Sequence, residues 1–520
     1  MIEKYLESRF FTLYFLPFIL GSLTVLSFQP FNFTLINFLV LPLFFYLIVY
    51  IKRKSKSIYR KKPYKKNLFI FGTAFGFAFY LSGIHWITFS LTFDDSFKIL
   101  IPIGLILIPL FLSLFFSIVT LIIGPYLNLN FSSLLILSAS LALSDFIRDK
   151  ILTGFPWNLW VYSLSWSTEI LQILEKIGLF AFNLITITIF MLPAVFIFRL
   201  NLSKKIFVFF FVLLSLSSLY IYGNHSINLN KKNLNEVNEK FNVKVISPNF
   251  ELKYGLQKKQ VESRLLKLIK YSEPDEKIKT LFVWPEGVFS GYNFSEISLL
   301  KNIFINNFDK NHFIAFGINR MDENGRGVYN SLVIVNNQME ILQEYKKQKL
   351  VPFGEFLPFE IILGNLGLKK VTEGFGSFLK GGKQGNLKVD TLNILPLICY
   401  EIIFTQFIQQ SSLDTNLIIN VSEDGWFGET IGPYQHFAKA TFRSIEQNSF
   451  LVRSANKGIS AIISNKGEII KNLQPNETGN IQLEIPLIKN KYKNRNDLIF
   501  FLLLFTYILI FYFYKKYDKK

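Results

Sequence analysis

Hydrophobic and polar positions divide the chain into three parts. Seven apolar stretches crowd its first half, at about Phe11–Phe28, Thr34–Ile51, Leu68–Leu91, Ile99–Gly124, Phe131–Phe146, Ile177–Phe198 and Ile206–Tyr222, and an eighth runs from Leu498 to Tyr514. Each approaches the roughly 20 apolar residues that carry a helix across the hydrocarbon of a bilayer. The fifth is the shortest and is ended by Ser144 and Asp145. The pattern predicts a polytopic helical membrane domain of eight spans, seven before and one after a polar region. Its boundaries fall at 1–223, 224–494 and 495–520, the last segment carrying a basic tail.

Within the polar region the period changes. Short β-branched or aromatic runs predict strands at Val243–Ser247, Thr280–Trp284, Phe313–Gly317, Val328–Val335, Ile394–Ile398, Leu417–Val421 and Ile459–Ser464. Longer polar stretches, Gln257–Tyr271, Ser295–Asn307 and Gln435–Gln447, read as helices between them. That alternation is the appearance of an α/β or layered α-β-β-α domain. The glycine-rich stretch Gly374–Gly385 lacks the strand–GxGxxG–helix setting of a nucleotide site and reads as a surface loop.

Composition changes this picture little. Half of the 520 residues are hydrophobic, 58 of them Phe, which excludes a disordered chain. The single cysteine, Cys399, excludes an internal disulfide. Charge adds more. The net charge of +19 would suit nucleic acid or an anionic surface, so the positions of the cations decide. The second connector holds Lys52, Arg53, Lys54, Lys56, Arg60, Lys61, Lys62, Lys65 and Lys66 without one acid. The sixth holds Arg199, Lys204 and Lys205, and the tail Lys515, Lys516, Lys519 and Lys520, while the third carries Asp94 and Asp95. Basic connectors stay in the cytoplasm. The shared parity predicts both termini inside and the polar domain outside, and removes the main support for nucleic-acid binding. Leu26-Ser27-Phe28 lacks a small-x-small cleavage pattern, so the first span is expected to remain as an anchor.

Three segments carry candidate chemistry. Cys399 follows the apolar run Ile394–Ile398, where a nucleophile can project from a sharp turn and the next backbone N–H, that of Tyr400, can meet an oxyanion. A buried structural cysteine is the alternative. Glu286, in Trp284-Pro285-Glu286-Gly287, follows another strand and could accept a thiol proton. Lys346, Lys347 and Lys349 precede Val351-Pro352-Phe353-Gly354-Glu355-Phe356-Leu357-Pro358, and any of them could favour a thiolate. Phe353, Phe356, Leu357 and Phe359 could enter acyl chains, cover the site or lie in a core. A Ser-His-Asp site finds no support, because His85 lies in an apolar helix and His225, His312 and His436 lack a serine elbow. No closely spaced His/Cys set suggests zinc.

These segments resemble the nitrilase superfamily, whose catalytic set is Glu-Lys-Cys, and more closely its membrane branch, the bacterial apolipoprotein N-acyltransferases. The most specific match is Leu350–Pro358, with the catalytic lysine eight residues before its glutamate, which selects Lys347 upstream of Glu355. The resemblance implies Glu286 as base, Cys399 as nucleophile, and Tyr400, Glu355 and Glu401 as supports of the oxyanion and the triad. FGINR at Phe316–Arg320, YNS at Tyr329–Ser331, DGWFG at Asp424–Gly428 and TGFPW at Thr153–Trp157 also match. They imply Asn319, Trp426, Phe427 and Trp157 as substrate contacts, with Tyr254 where the family often has a tryptophan. The chain departs from the pattern at Ser247-Pro248-Asn249, where Gln-Gly-Asn is usual, and at Glu423, where Asn is common.

The implied fold is a nitrilase-like sandwich. The implied reaction is transfer of a fatty acyl group from a membrane phospholipid, through a Cys399 thioester, to the α-amino group of the diacylglyceryl-cysteine that begins a lipoprotein. No metal or diffusible cofactor is implied, and the partners are phospholipid, diacylglyceryl-modified apolipoproteins and the bilayer. The loop Thr153–Glu169, expected on the same side of the membrane, carries Trp157, Trp160, Tyr162 and Trp166, which suit anchoring at the interface or a lipid portal. Two other readings use the same residues differently: a membrane-tethered amidase acting on a small carbon–nitrogen substrate, and a transporter or lipid-binding protein with an inactive appended domain.

Overall fold

The computed structural model describes residues 6–54, 64–198, 201–253, 255–365, 370, 376–488 and 497–517. Tyr254 and most of the basic second connector lie outside the described residues. The chain forms two compact units, residues 1–225 with 496–520, and residues 226–495.

Seven helices among the described residues are long and apolar enough to cross a membrane: Thr34–Lys54, Tyr64–Thr92, Asp95–Tyr126, Phe131–Lys150, Leu179–Ile197, Leu202–Asn235 and Leu498–Lys516. Phe11–Ser27 is a shorter apolar helix, so each of the eight apolar stretches is helical. Two differ from expectation in an instructive way. The first is irregular: a π turn, Phe11–Phe15, leads into the α-helix Leu16–Leu23 and a 3-10 turn, Thr24–Ser27. There the Thr24 and Ser27 hydroxyls donate to the Gly21 and Thr24 carbonyls and compete with the regular ladder. The fifth does not stop near Asp145 but continues to Lys150. Arg148 Nη2, one turn on, donates to Asp145 Oδ1 at 2.8 Å, and Asn183 Nδ2 donates to Asp145 Oδ2 at 3.0 Å. The carboxylate is matched from its own helix and from a neighbour, so burying it does not end the helix.

Small residues set the closest helix approach. A side chain at Gly72 would overlap Thr120 Oγ1, and one at Gly76 would put its Cβ 2.9 Å from Ser113 Cα. These residues, spaced one turn apart, let two backbones meet as membrane helices commonly do. The Thr73 and Ser117 hydroxyls then bond at 2.8 Å, and Thr120 Oγ1 donates to the Leu68 carbonyl at 2.8 Å.

The second unit holds twelve strands: β1 (Lys240–Ser247), β2 (Thr280–Val283), β3 (His312–Met321), β4 (Val328–Val335), β5 (Ile341–Lys346), β6 (Leu387–Val389), β7 (Leu392–Ile398), β8 (Leu417–Glu423), β9 (Phe450–Asn456), β10 (Ser460–Ile463), β11 (Ile469–Leu473) and β12 (Gly479–Pro486). They form two six-stranded sheets, ordered β12-β1-β2-β3-β4-β5 and β11-β10-β9-β8-β7-β6. In each the central three strands, β1-β2-β3 and β7-β8-β9, are parallel and the flanking pairs antiparallel.

Alternation assigns the layers. Leu281 and Val283 of β2 and Leu332 and Ile334 of β4 join Ile394, Leu417 and Val452 of the other sheet in one core between the sheets. Their neighbours Phe282 and Val333 face away, into a second core completed by Val261, Leu265 and Leu268 of the helix Lys258–Ser272. The helix Gly432–Gln447 packs against β9 and the turn after β7 on the other sheet. The result is the expected α-β-β-α sandwich.

Candidate active site

Parallel strands gather function at their carboxyl ends, because the chain leaves every one of them on the same side. Glu286 lies three residues past β2, Cys399 is the first residue after β7, and Glu423 is the last residue of β8. Lys347 is the first residue after β5. A Cβ at Gly317 would lie 2.9 Å from Glu286 Cα, so glycine on β3 makes room for the Glu286 turn.

Lys347 is 1% exposed and faces two carboxylates. Its Nζ donates to Glu355 Oε1 at 2.9 Å and lies 3.5 Å from Glu286 Oε1. Asn330 Nδ2 bridges the same two oxygens, donating at 2.7 Å to Glu286 and 2.8 Å to Glu355. The Val351 N–H fixes the second oxygen of Glu355 at 2.9 Å, and the Glu423 N–H holds that of Glu286 at 3.1 Å. Burial works against the Lys347 charge, but Glu286, Glu355 and Cys399 together hold the ammonium above the usual lysine range. Of the other two candidate lysines, Lys346 lies over the Tyr329 ring and Lys349 over the Phe404 ring.

Cys399 stands at φ +47°, in the left-handed region, at the head of a 3-10 turn, Cys399–Ile403. Burial and the neighbouring Glu286 push its thiol above the ordinary cysteine value, against the opposing pull of Lys347. Glu286 and Lys347 thus act on the thiol with opposite signs. Glu401 pins the turn with both oxygens. Oε1 accepts from the Tyr345 hydroxyl at 2.9 Å and from the Gln348 and Lys349 N–H groups at 2.7 and 3.0 Å, and Oε2 accepts from the Ile398 N–H at 2.9 Å. It therefore ties the lysine segment to the cysteine turn, while burial pushes its own carboxyl up to about 7. Tyr400 is buried, its ring edge-on to Phe404 at 5.1 Å.

The other expected contacts divide. Asn319 is half-buried on β3, opposite Asn330 in register, and Trp426 is half-buried in the turn Asp424–Phe427. The Phe427 ring meets His436 edge-on at 5.2 Å. Phe353 and Phe359 are exposed, whereas Leu357 is buried. Trp157 belongs to the first unit and is 1% exposed, stacked on Phe155 and 4.6 Å from the Trp86 ring. Trp160 and Tyr162 are buried too, so of the four loop aromatics only Trp166 stands exposed. The expectation of an interfacial belt is corrected here: the loop is drawn inward because Arg148 Nη1 donates to the Phe155 carbonyl and Asn183 Oδ1 accepts the Val161 N–H.

Residues not singled out from the sequence complete the site. Asn330 stood inside a matching motif, which was its only signal. His436, set aside for want of a serine elbow, lies with Nε2 3.2 Å from the Cys399 carbonyl. Arg453 clamps Asp424 beside it, at 2.7 Å to Oδ2 and 3.0 Å to Oδ1. Gly381, in the stretch read as a surface loop, is buried, and its N–H donates to the Lys347 carbonyl at 2.8 Å. Among the described residues no group of three or more His, Cys, Asp or Glu side chains could hold a metal ion.

Known proteins share both units. Residues 20–192 match the apolipoprotein N-acyltransferase N-terminal domain family, and residues 257–489 match the carbon–nitrogen hydrolase family. The chain is 31% identical over 507 residues to the apolipoprotein N-acyltransferase of Rickettsia typhi, covering 95% of this chain and 97% of that one. It is 30% identical over 472 residues to that of Rhodopseudomonas palustris, covering 87% and 85%. A solved carbon–nitrogen hydrolase superfamily protein from Xanthomonas campestris matches with 15% identity and a TM-score of 0.35 over 48% of this chain and 91% of that one.

Proposed function

The chain belongs to the apolipoprotein N-acyltransferase family, and on that premise we propose that it transfers a fatty acyl group from a phospholipid to a lipoprotein through a thioester on Cys399. Glu286 takes the thiol proton as the sulfur attacks the acyl carbonyl carbon. Lys347 and the Tyr400 N–H stabilise the oxyanion that forms. The tetrahedral species collapses, the carbon–oxygen ester bond breaks, and Glu286 returns the proton to the departing lysophospholipid. The α-amino group of the diacylglyceryl-cysteine then attacks the thioester, Glu286 accepts its proton, and the amide forms as the thiol is restored. Two half-reactions through one covalent intermediate give ping-pong kinetics.

One observation carries this reading. A raised thiol, a carboxylate and an ammonium from three separate strand ends are coupled electrostatically in one buried cluster. Water would compete for the thioester, so burial suits transfer to an amine. The membrane helices suit substrates that keep their acyl tails in the bilayer, because tethering the enzyme there concentrates both reactants. The domain limits 1–223, 224–494 and 495–520, the cytoplasmic termini, the bacterial inner membrane and the periplasmic side for the α/β unit belong to the same proposal. They draw on the basic runs Lys52–Lys54 and Lys515–Lys516. Glu355 and Glu401 are assigned to holding Lys347 and the cysteine turn. Asn319, Trp426 and Phe427 are assigned to substrate contact. Trp157, given its burial, is assigned to shaping the loop it lies in.

Incubating the full-length protein with a diacyl phospholipid, followed by intact-mass measurement, tests the reading. A fatty-acyl increment on the wild type that disappears in Cys399→Ala supports it. Hydrolysis of small amides with no increment overturns it in favour of an amidase.

A further inference from the structure

We infer that His436 is a positioning residue, which aims the Tyr400 N–H at the oxyanion by holding the Cys399 carbonyl; the inference rests on the thioester chemistry proposed above. The peptide joining Cys399 to Tyr400 is planar and trans, so its C=O and N–H point in opposite directions. Whatever fixes the carbonyl therefore fixes the N–H. Cys399 occupies the left-handed region at φ +47°, which a residue with a side chain keeps only when its surroundings hold it there.

His436 supplies that hold. Its Nε2 lies 3.2 Å from the Cys399 carbonyl oxygen, and a carbonyl only accepts, so the bond exists only when Nε2 carries the proton. On the opposite edge of the ring, Nδ1 lies 3.0 Å from both Arg453 Nη2 and Asp424 Oδ1. Burial and the Arg453 charge push His436 below its ordinary value, against the opposing pull of Asp424.

The clamp closes on itself. Arg453 Nη1 donates to Asn420 Oδ1, and Asn420 Nδ2 donates to the carbonyl of Leu397, two residues before the nucleophile, at 3.0 Å. His436, Arg453, Asp424 and Asn420 are all at most 1% exposed. The strand before Cys399 and the carbonyl of Cys399 are therefore gripped by one network.

Because the chain has one cysteine, thiol reagents report on Cys399 alone. Alkylation by iodoacetamide displaces iodide from a saturated carbon and forms no oxyanion, whereas acylation by dipalmitoyl phosphatidylethanolamine in mixed micelles does. In full-length His436→Leu we expect acylation to slow by about 10²-fold, the effect of a displaced oxyanion donor, while the alkylation rate is unchanged. His436→Gln, whose amide N–H reaches toward the same carbonyl, should recover part of the acylation rate. His436→Asn, one methylene shorter, should not. If the leucine variant fails to fold, the glutamine–asparagine pair carries the test alone. Equal acylation by that pair, equal acylation by His436→Leu and wild type, or parallel losses in acylation and alkylation overturn the inference. A wild type that alkylates but never acylates overturns the thioester reading itself.

Discussion

Each unit buries an ionic cluster, and the two are balanced differently. In the first, Asp145 meets Arg148 at 2.8 Å and Asn183 at 3.0 Å, one acid to one base with a neutral amide filling the remaining oxygen. In the second, Lys347 faces Glu355 at 2.9 Å and Glu286 at 3.5 Å, so two acids share one ammonium and the amide of Asn330. A balanced cluster holds parts together: Arg148 also bonds the Phe155 carbonyl and draws the aromatic loop inward. In the proposed reaction, the acid in excess gives the raised Cys399 thiol's proton somewhere to go. Burying charge is thus compatible with either task, and stoichiometry separates them.

The largest effects should come from removing one partner in either cluster. Lys347→Met leaves two carboxylates facing each other without their cation. It should cost about 3–5 kcal/mol of stability in chemical denaturation, and the surviving folded protein should acylate on the order of 10³-fold more slowly. Lys347→Arg should not restore the rate, because a planar guanidinium cannot occupy the site of a compact ammonium. Arg148→Met in the first unit should likewise cost about 3–5 kcal/mol. The double change Asp145→Leu with Arg148→Leu should cost less than that single one, since no charge is left unmatched. A double variant less stable than the single would break the comparison.

Two smaller effects sharpen it. Tyr345→Phe removes one of the four hydrogen bonds to Glu401 and leaves three backbone donors, so a loss of about 1–3 kcal/mol is expected in thermal unfolding. Glu423 is buried, and burial pushes its carboxyl from 4.5 up to about 8. A raised acid holds its proton in the fold after the unfolded chain has released it. Its contribution to stability is complete below about pH 4.5 and is lost as pH rises through about 8. Denaturation midpoints across that window should decline less in Glu423→Gln than in wild type, and identical slopes would show that Glu423 does not titrate there.

Legibility followed distance along the chain. The membrane helices could be read because twenty apolar residues in a row leave few other structures, and β4 was read at its observed limits, Val328–Val335, from an unbroken apolar run. β9 escaped notice because Arg453, Ser454 and Asn456 interrupt its pattern. Those residues are buried only because Asp424, Ile246 and Glu423 meet them from distant segments. β5 and β12 are partly exposed edge strands with little apolar signal of their own. The continuation of the fifth helix past Asp145 depended on Asn183, which lies 38 residues away. The same rule held at the site. Glu286, Lys347 and Cys399 stand in short distinctive motifs, whereas His436 acquires meaning only from the Cys399 carbonyl, 37 residues before it, and from Arg453.

In the proposed reaction Cys399 carries an acyl group which an amine, rather than water, removes. Isolated acyl-enzyme, formed from a radiolabelled phospholipid and freed of donor, can be mixed with a peptide beginning in diacylglyceryl-cysteine. Label is expected to leave Cys399 in one exponential step and to appear as an amide on the peptide's α-amino group, while acyl-enzyme without peptide keeps its label over the same time. Release of free fatty acid at the same rate with and without peptide would contradict it.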